Sequence, residues 1–296
     1  MPDRIIAATA VDGSFSIVAA ITTELVREAQ ARHGLSPTAS AALGRLVTAA
    51  ALLGASLKGR ERLSLQVASD GPLQGMTADV ALRGPGKLGA RAYARNPGVD
   101  VPLNGRGKFD VAGAVGRGHL QVTRSFEVGQ PYVGVVPLRS GEIGDDVAGY
   151  LWHSEQIPSV VAVGVLANPI GIKASGGLIA QVMPGADERT VERLEARARA
   201  IAPITAQVDA GASAEDVARS LGGDIELHLR GQWEVAFACR CTRDRVKVAL
   251  LSLGSDELAR MAEEQPTAEA VCEFCKKRYV VSSEEISRLA NRLASR

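Results

Sequence analysis

The sequence predicts an α+β protein of three parts: an N-terminal domain with a mainly antiparallel sheet and segregated helices, a helical connector, and a small C-terminal domain. Three observations support this fold class. Short β-prone runs alternate with turn residues before Pro184, charged residues dominate the segment that follows, and all four cysteines lie between positions 239 and 275. We therefore divide the chain at residues 1–184, 185–231 and 232–296.

The chain opens with a predicted hairpin and two predicted helices. Residues 5–10 and 14–20 are β-prone and flank Asp12-Gly13, a dipeptide that favours a hairpin turn. Thr22 or Thr23 is the expected cap of a short helix that Gly34 ends. Ser36-Pro37 then starts a long Ala-rich helix. Because this apolar stretch carries a charged Arg45 and several small polar residues, we predict a buried helix rather than a membrane span.

The rest of the N-terminal domain reads as strands with one more helix. The run that begins at Leu63 alternates apolar and polar residues, as a half-buried strand does. The expected strands are 63–67, 75–82, 87–94, 108–115, 120–123, 132–137, 160–166 and 178–183, with the Gly176-Gly177 pair as a break before the last. A helix is expected over 141–156, with Ser140 as its cap and Pro158 beyond its end.

The predicted connector, 185–231, has the composition of a weakly packed helical segment. Residues 187–202 are rich in Glu and Arg, with a sparse apolar stripe of Val191, Leu194 and Ala198. Residues 203–212 read as a loop, and Ser213 with Asp216 forms a capping box for a helix over 213–221. We expect this connector to be of low intrinsic stability; the alternative is an ordinary stable helical hairpin.

The C-terminal domain is too small to have a large core. A strand over 225–237 leads to it, a terminal helix over 284–293 is capped by Ser282 or Ser283, and about sixty residues are marginal for independent folding. Its expected apolar cluster consists of Leu250, Leu251, Leu253, Leu258 and Met261. A bound metal ion would supply the stability that such a core lacks.

The four cysteines form two close pairs, Cys239-Arg240-Cys241 and Cys272-Glu273-Phe274-Cys275. Two short turns can deliver four sulfurs to one tetrahedral zinc ion, and the second pair has the usual spacing of a zinc knuckle. We predict a zinc site with all four cysteines as ligands. A pair of structural disulfides, or a zinc site that doubles as a thiol switch, remains an alternative from the spacing alone.

Composition argues against several classes of function. The net charge of +1 and the aromatic content of 4% disfavour a nucleic-acid binder. The first residues show no signal-peptide pattern, so a cytoplasmic, reducing location is expected. No enzyme motif is convincing, because the GxGxxG match at 84–89 contains Pro85 and precedes a strand, and His153-Ser154-Glu155 lacks a nucleophile elbow. The four histidines, His33, His119, His153 and His228, have no ligand spacing.

With these residues in view, the chain resembles the heat shock protein 33 family of redox-regulated holdase chaperones. That family is marked by a CxC motif that is followed, after about thirty residues, by a CxxC motif. This pattern is present in full as Cys239, Cys241, Cys272 and Cys275. Further similarity covers nearly the whole chain and includes the segments His33 to Pro37, Ser69 to Leu73, Arg139 to Ile143 and Ser154 to Ser159.

The resemblance implies a function that the residues alone leave open. It implies an ATP-independent chaperone, not an enzyme, that is inactive while reduced with one zinc ion per chain. Oxidation would form Cys239–Cys241 and Cys272–Cys275 disulfides, release zinc, unfold the connector and the C-terminal domain, and favour a homodimer. The expected partners are unfolding client proteins, with no nucleic acid and no membrane. A zinc-ribbon nucleic-acid module and a thiol-disulfide oxidoreductase are the alternatives.

Overall fold

A computed structural model describes residues 2–168 and 170–294 and shows the predicted α+β fold. Contacts within the chain separate two compact units, Met1–Ala238 and Cys239–Arg296. The three-part division at 184/185 and 231/232 stays a prediction.

The first unit is built on a ten-stranded sheet with the strand order β7-β6-β3-β4-β5-β10-β1-β2-β9-β8. Its strands are β1 (Arg4–Ala10), β2 (Phe15–Ile21), β3 (Arg62–Ser69), β4 (Met76–Gly84), β5 (Lys87–Ala94), β6 (Gly118–Ser125), β7 (Tyr132–Pro137), β8 (Ser159–Asn168), β9 (Gly171–Val182) and β10 (Leu227–Phe237). Strand β10 pairs with β1 in the antiparallel sense and with β5 in the parallel sense. It therefore joins two antiparallel groups of strands into one sheet.

Seven helices of the described residues accompany this sheet: α1 (Thr23–His33), α2 (Pro37–Gly54), α3 (Val111–Val115), α4 (Gly144–His153), α5 (Glu188–Ala200), α6 (Ile204–Asp209) and α7 (Ala214–Gly222). The predicted start of α2 is confirmed, because Ser36 Oγ accepts a hydrogen bond from the Ala39 amide at 3.1 Å and Pro37 is the first helical residue. Helix α2 is buried along nearly its whole length, as the sequence predicts. None of the helices described here combines the length and the hydropathy needed to cross a membrane.

Two apolar clusters lie on opposite faces of the sheet. Adjacent side chains of β1 point to opposite faces of the sheet. Ile5 belongs to the cluster around α2, whereas Ile6 belongs to the cluster beneath α5, α6 and α7. We call the second cluster the cover cluster. Its largest sheet residues are Ile6, Phe15, Ile17 and Leu178, and its largest helix residues are Leu194, Ile204, Val217 and Leu221. Segment 185–231 thus covers apolar sheet surface.

Helix α5 contributes little to this packing, as expected from its sparse stripe. Leu194 is buried, with 4% of its surface exposed, while Ala198 is only partly buried. Arg193 and Arg197 form ion pairs with Asp224 on the exterior, where such pairs contribute little. The predicted capping box of α7 is confirmed: the Asp216 amide donates to Ser213 Oγ, and the Ser213 amide donates to an Asp216 carboxylate oxygen.

Three local predictions are wrong, each for an identifiable reason. Residues 111–115 form helix α3 instead of a strand because the Asp110 carboxylate caps them by accepting from the Gly113 amide at 2.9 Å. Residues 204–209 form helix α6 instead of a loop because Ile204 is buried in the cover cluster. Strand β9 continues through Gly176 and Gly177 instead of breaking there. The neighbouring strand lies so close that a Cβ at Gly177 would be 2.6 Å from the Ala162 carbonyl oxygen, so glycine is needed for the strand to continue. These glycines permit close strand packing.

The caps of two helices also differ from prediction. Asp146, not Ser140, organises the start of α4, where its carboxylate accepts from the Arg139, Ser140 and Ile143 amides. Asp3, not Thr22 or Thr23, caps α1 from immediately before the neighbouring strand β1, accepting from the Glu24 amide at 3.1 Å and the Leu25 amide at 2.7 Å. The Asp3 cap comes from a residue remote in sequence, which local patterns do not reveal, whereas Asp146 lies in the first turn of α4 itself.

Asp3 gives a test of this cap. Burial raises the pKa of Asp3 from 3.8 to about 6, despite the amide hydrogen bonds that lower it. The folded state therefore binds a proton that the unfolded state releases, so the contribution of Asp3 to stability is present below about pH 4 and lost as pH rises to about 6. Between pH 4 and pH 6 the free energy of unfolding of the wild type should fall relative to Asp3→Asn by about 2 kcal/mol, measured by urea unfolding.

Asp12→Asn is the matched control, because the contribution of Asp12 to stability changes with pH in the opposite direction to that of Asp3. Hydrogen bonds from Ser14 lower the pKa of Asp12, so its stabilising contribution is present above its ordinary pKa and is lost as pH falls below that. A wild-type-minus-Asp3→Asn difference that stays constant between pH 4 and 6 would contradict the assignment of Asp3.

The second unit contains three helices and a two-stranded sheet: α8 (Arg243–Leu251), α9 (Ser255–Glu264), β11 (Thr267–Val271), β12 (Arg278–Ser282) and α10 (Ser283–Ala294). Its fully buried apolar core is small and consists of Leu258, Val281, Ile286 and Ala290. Leu250, Leu251 and Met261 pack at the edge of this core, whereas Leu253 is half exposed and lies outside it, contrary to prediction. Ser282 caps α10 by accepting from the Glu285 amide, as predicted.

Candidate metal centre

The four cysteines come from two loops of the second unit. Cys239 and Cys241 lie immediately before α8, whose first turn is capped by the Thr242 hydroxyl accepting from the Arg245 amide at 3.2 Å. Cys272 and Cys275 lie in the loop that joins β11 to β12. The antiparallel pairing of those strands, with Val271 opposite Arg278, fixes both ends of this loop.

The structure brings all four sulfurs together. Every Sγ atom lies within 4.8 Å of the other three. The Cys239 and Cys272 sulfurs are 3.6 Å apart, and the Cys241 and Cys275 sulfurs are 3.3 Å apart. A disulfide bond is about 2.05 Å long, so these are thiols. Sulfurs held ~2.3 Å from a central zinc would lie about 3.8 Å apart, which these separations approximate.

The second loop has the hydrogen bonding of a metal knuckle. The Cys272 amide donates to the Lys277 carbonyl at 3.0 Å, and the Lys276 amide donates to the Cys272 carbonyl at 2.8 Å. Closing this tight loop places Lys276 at a φ of +57°, a conformation that costs energy for any residue other than glycine. The loop is therefore held in a strained form that directs both sulfurs to one point.

Backbone amides also point at the sulfurs of this loop. Amides of Phe274 and Cys275 donate to Cys272 Sγ, and the Lys277 amide donates to Cys275 Sγ. These donors stabilise the thiolates and lower the pKa of both sulfurs. Burial destabilises the charged form, and this effect is the larger one. It raises the pKa of Cys272 and raises the pKa of Cys275 to about 12. A cation at the centre of the sulfurs would offset the cost of burying their charge.

These residues fit a zinc ion. Four thiols without oxygen or nitrogen ligands form a soft donor set, which favours zinc among the common structural metals. Cys275 is 7% exposed and the other three cysteines are half-buried, so the site is closed in the manner of a structural centre. Within the described part of the chain, no other group of His, Cys, Asp or Glu side chains converges as metal ligands.

One neighbour of the sulfurs was missed by sequence analysis. The Tyr279 hydroxyl donates to Cys241 Sγ at 3.1 Å. Tyr279 and Val281 are buried on the same face of β12, while Arg278 and Val280 are exposed. The alternation of these residues after the last cysteine was the available signal, because it places Tyr279 on the inner face of the hairpin.

The weaker motifs occupy ordinary structural positions. Residues 84–89 form the tight connection between β4 and β5 and the start of β5, not a strand-to-helix turn. Glu155 accepts a hydrogen bond from the Tyr150 hydroxyl at 2.8 Å, at the end of α4. The histidines at positions 33, 119, 153 and 228 lie outside the cysteine cluster.

Comparison with known proteins identifies the family. A family model described as Hsp33 protein matches residues 3–282. A relative named 33 kDa chaperonin from Acaryochloris marina is 46% identical, with 99% of this chain and 98% of that protein aligned. The protein of the same name from Geobacillus kaustophilus is 43% identical, with 98% of each chain aligned. The chain belongs to the Hsp33 family.

The Hsp33 fold extends over the whole chain. The crystal structure of the 33 kDa chaperonin from Thermotoga maritima, a heat shock protein 33 homologue, matches with a TM-score of 0.91 at 35% identity and covers 100% of both chains. The similarity includes both the ten-stranded sheet and the cysteine-bearing unit of this Hsp33 protein, so the fold class and the family assignment rest on the same residues.

Proposed function

We propose that this Hsp33 protein is a redox-regulated, ATP-independent holdase chaperone of the cytoplasm. The observation that carries the proposal is the convergence of four thiols within 4.8 Å in a unit whose described residues form a small buried aliphatic cluster of Leu258, Val281, Ile286 and Ala290. A unit of this size depends on the cross-link that joins its loops. The relatives named 33 kDa chaperonin support a chaperone role.

In the reduced state, Cys239, Cys241, Cys272 and Cys275 would hold one zinc ion per chain. Zinc bound there would offset half of the negative charge of four thiolates and would cross-link two loops that are about thirty residues apart. The chain prepares this state with the amide donors at Cys272 and Cys275 and with the strained turn at Lys276. This reduced form is the inactive one.

Oxidation by a peroxide would remove the thiolates in balanced steps. One thiol of a pair is oxidised to a sulfenic acid while the peroxide is reduced to water. Its partner thiolate then attacks that sulfur, forms the S–S bond and displaces hydroxide, which takes up a proton to give a second water. Two peroxide molecules thus convert four thiols into two disulfides, and the chain no longer has thiolates that bind a metal.

We assign the disulfides to Cys239–Cys241 and Cys272–Cys275. Distances within the folded cluster do not select these pairs, because all four sulfurs are close together. The length of chain between the partners selects these pairs. A partner two or three residues away remains near after the loops separate, whereas a partner thirty residues away does not. The short CxC ring is also strained and therefore easily reduced, as a reversible sensor requires.

Exposure of apolar surface would then create the chaperone activity. Loss of the second unit is proposed to destabilise segment 185–231. Its large buried side chains in the cover cluster are Leu194, Ile204, Val217 and Leu221, while Ile201, Val208, Ile225 and Leu227 pack against it only partly buried. Detachment of α5, α6 and α7 uncovers Ile6, Phe15 and Ile17 on the sheet. Such a surface suits apolar segments of unfolding proteins and a second copy of the chain, so the active form is a homodimer.

A combined assay tests the proposal. Zinc, free thiols, oligomeric state and suppression of client aggregation are measured on the reduced, zinc-loaded protein before and after peroxide at mild heat. We expect release of one zinc and loss of four thiols per chain, a shift to dimer, and the appearance of aggregation suppression. Addition of a dithiol reductant together with zinc should reverse all four of these changes. Equal suppression by the reduced, zinc-loaded protein would contradict the switch.

A further inference from the structure

The Tyr279 hydroxyl is a side-chain donor to the cysteine cluster. Its oxygen lies 3.1 Å from Cys241 Sγ, and the residue is 7% exposed. Tyr279 stands opposite Ala270 in the β11–β12 ladder, so its backbone position is fixed by the hairpin. The Lys277 ammonium lies 5.3 Å from the centre of the Tyr279 ring, a cation–π contact that favours this ring position.

This contact distinguishes the two cysteine pairs. The CxxC sulfurs receive hydrogen bonds from backbone amides of their own loop. Cys241, in the CxC pair, receives one from a side chain that belongs to the hairpin carrying the other pair. The Tyr279 hydrogen bond therefore connects the two halves of the cluster without involving a metal ion.

A hydroxyl donor at this position has two physical effects. It stabilises the charged form of the Cys241 sulfur and fixes its direction, which lowers the cost of organising the ligand set. It also engages a sulfur lone pair, and a thiolate with a lone pair engaged is a weaker nucleophile toward peroxide. The same bond should strengthen metal binding and slow oxidation.

We propose that Tyr279 is a positioning residue of the metal centre, which holds Cys241 as a ligand and sets how fast that sulfur reacts with peroxides. This inference rests on the proposed function, because it takes zinc as the metal that the cysteines bind and peroxide as the oxidant. The Tyr279 hydroxyl donates to Cys241 Sγ, and the oxidation steps themselves are those of the cysteine pair.

The test is the Tyr279→Phe variant of the full chain, with Tyr132→Phe as the matched control. The control removes a hydroxyl that donates to the Ser154 carbonyl in the first unit. Competition with a chromogenic chelator should show zinc affinity about 10-fold to 100-fold weaker in Tyr279→Phe and unchanged in Tyr132→Phe. Mass spectrometry after isotope-coded alkylation should show that Cys241 is oxidised several-fold faster relative to Cys272.

A second substitution keeps the test valid if the phenylalanine variant folds poorly. Site-specific 3-fluorotyrosine at position 279 makes the hydroxyl a stronger donor, so Cys241 should be oxidised more slowly than in wild type. Unchanged zinc affinity and unchanged Cys241 oxidation in both variants would overturn the role of Tyr279 while wild-type zinc release still supports the switch. A wild-type protein that binds no zinc would overturn both proposals.

Discussion

Removal of zinc from the reduced protein is expected to unfold residues 239–296 and to leave the ten-stranded sheet folded. A structural zinc site contributes roughly 10–16 kcal/mol of apparent binding free energy in small peptides, which exceeds what so small a core supplies. Hydrogen exchange measured by mass spectrometry should show loss of protection in β11, β12 and α10 after chelation. Protection in α2 and β9 should persist.

Cys275→Ser provides the matched variant for this prediction. Cys275 is the most buried of the four cysteine residues, and serine cannot replace a thiolate in a soft donor set. Without chelator, this variant should show the same loss of protection as the chelated wild type, and chelator should add nothing further. Retained protection of the hairpin in the zinc-free wild type would show that its core folds without the ion.

Leu221→Ala is expected to produce chaperone activity without oxidation. Leu221 in α7 is fully buried in the cover cluster, and truncation of a buried leucine costs about 2–5 kcal/mol. Because few other large side chains attach α5, α6 and α7, this loss should open the segment before the sheet itself unfolds. The reduced, zinc-loaded variant should then suppress client aggregation and show fast hydrogen exchange over 188–222.

Leu229→Ala is the control, since Leu229 in β10 is 50% exposed and its truncation removes little buried surface. That variant should remain inactive until oxidised. If Leu221→Ala opens the segment by hydrogen exchange but does not suppress aggregation, the apolar face beneath α7 is not the client-binding surface. If the segment stays closed, the predicted low stability of 185–231 is wrong.

The parts of the fold that the sequence predicts well are those encoded by neighbouring residues. Gly13, at a φ of +75°, turns the first hairpin, and the capping pair Ser213 and Asp216 starts α7. Ser36 and Pro37 start α2 in the same way. Each signal acts over four residues or fewer, so it needs no knowledge of the rest of the chain.

Several of the wrong predictions involve contacts between distant segments, although the Asp110 cap of α3 and the Asp146 cap of α4 are local. The Gly176-Gly177 pair looks like a break, yet the carbonyls of Ala20 and Ala162 pack where side chains would be. Asp3 caps a helix twenty residues away, and β10 pairs in parallel with β5 across more than a hundred residues of chain. Register and close packing are decided by which segments meet, and that is a property of the whole fold.

For the candidate metal centre, the sequence by itself predicted which four side chains converge, because all four cysteines of the chain lie in two close pairs, CxC and CxxC. Only the tertiary structure decided how they meet. It placed the four sulfurs within 4.8 Å, held one loop in a strained turn and brought Tyr279 to Cys241. Spacing along the chain limits which residues can share an ion, whereas the β11–β12 hairpin and the burial around it set the direction and hydrogen bonding of each sulfur.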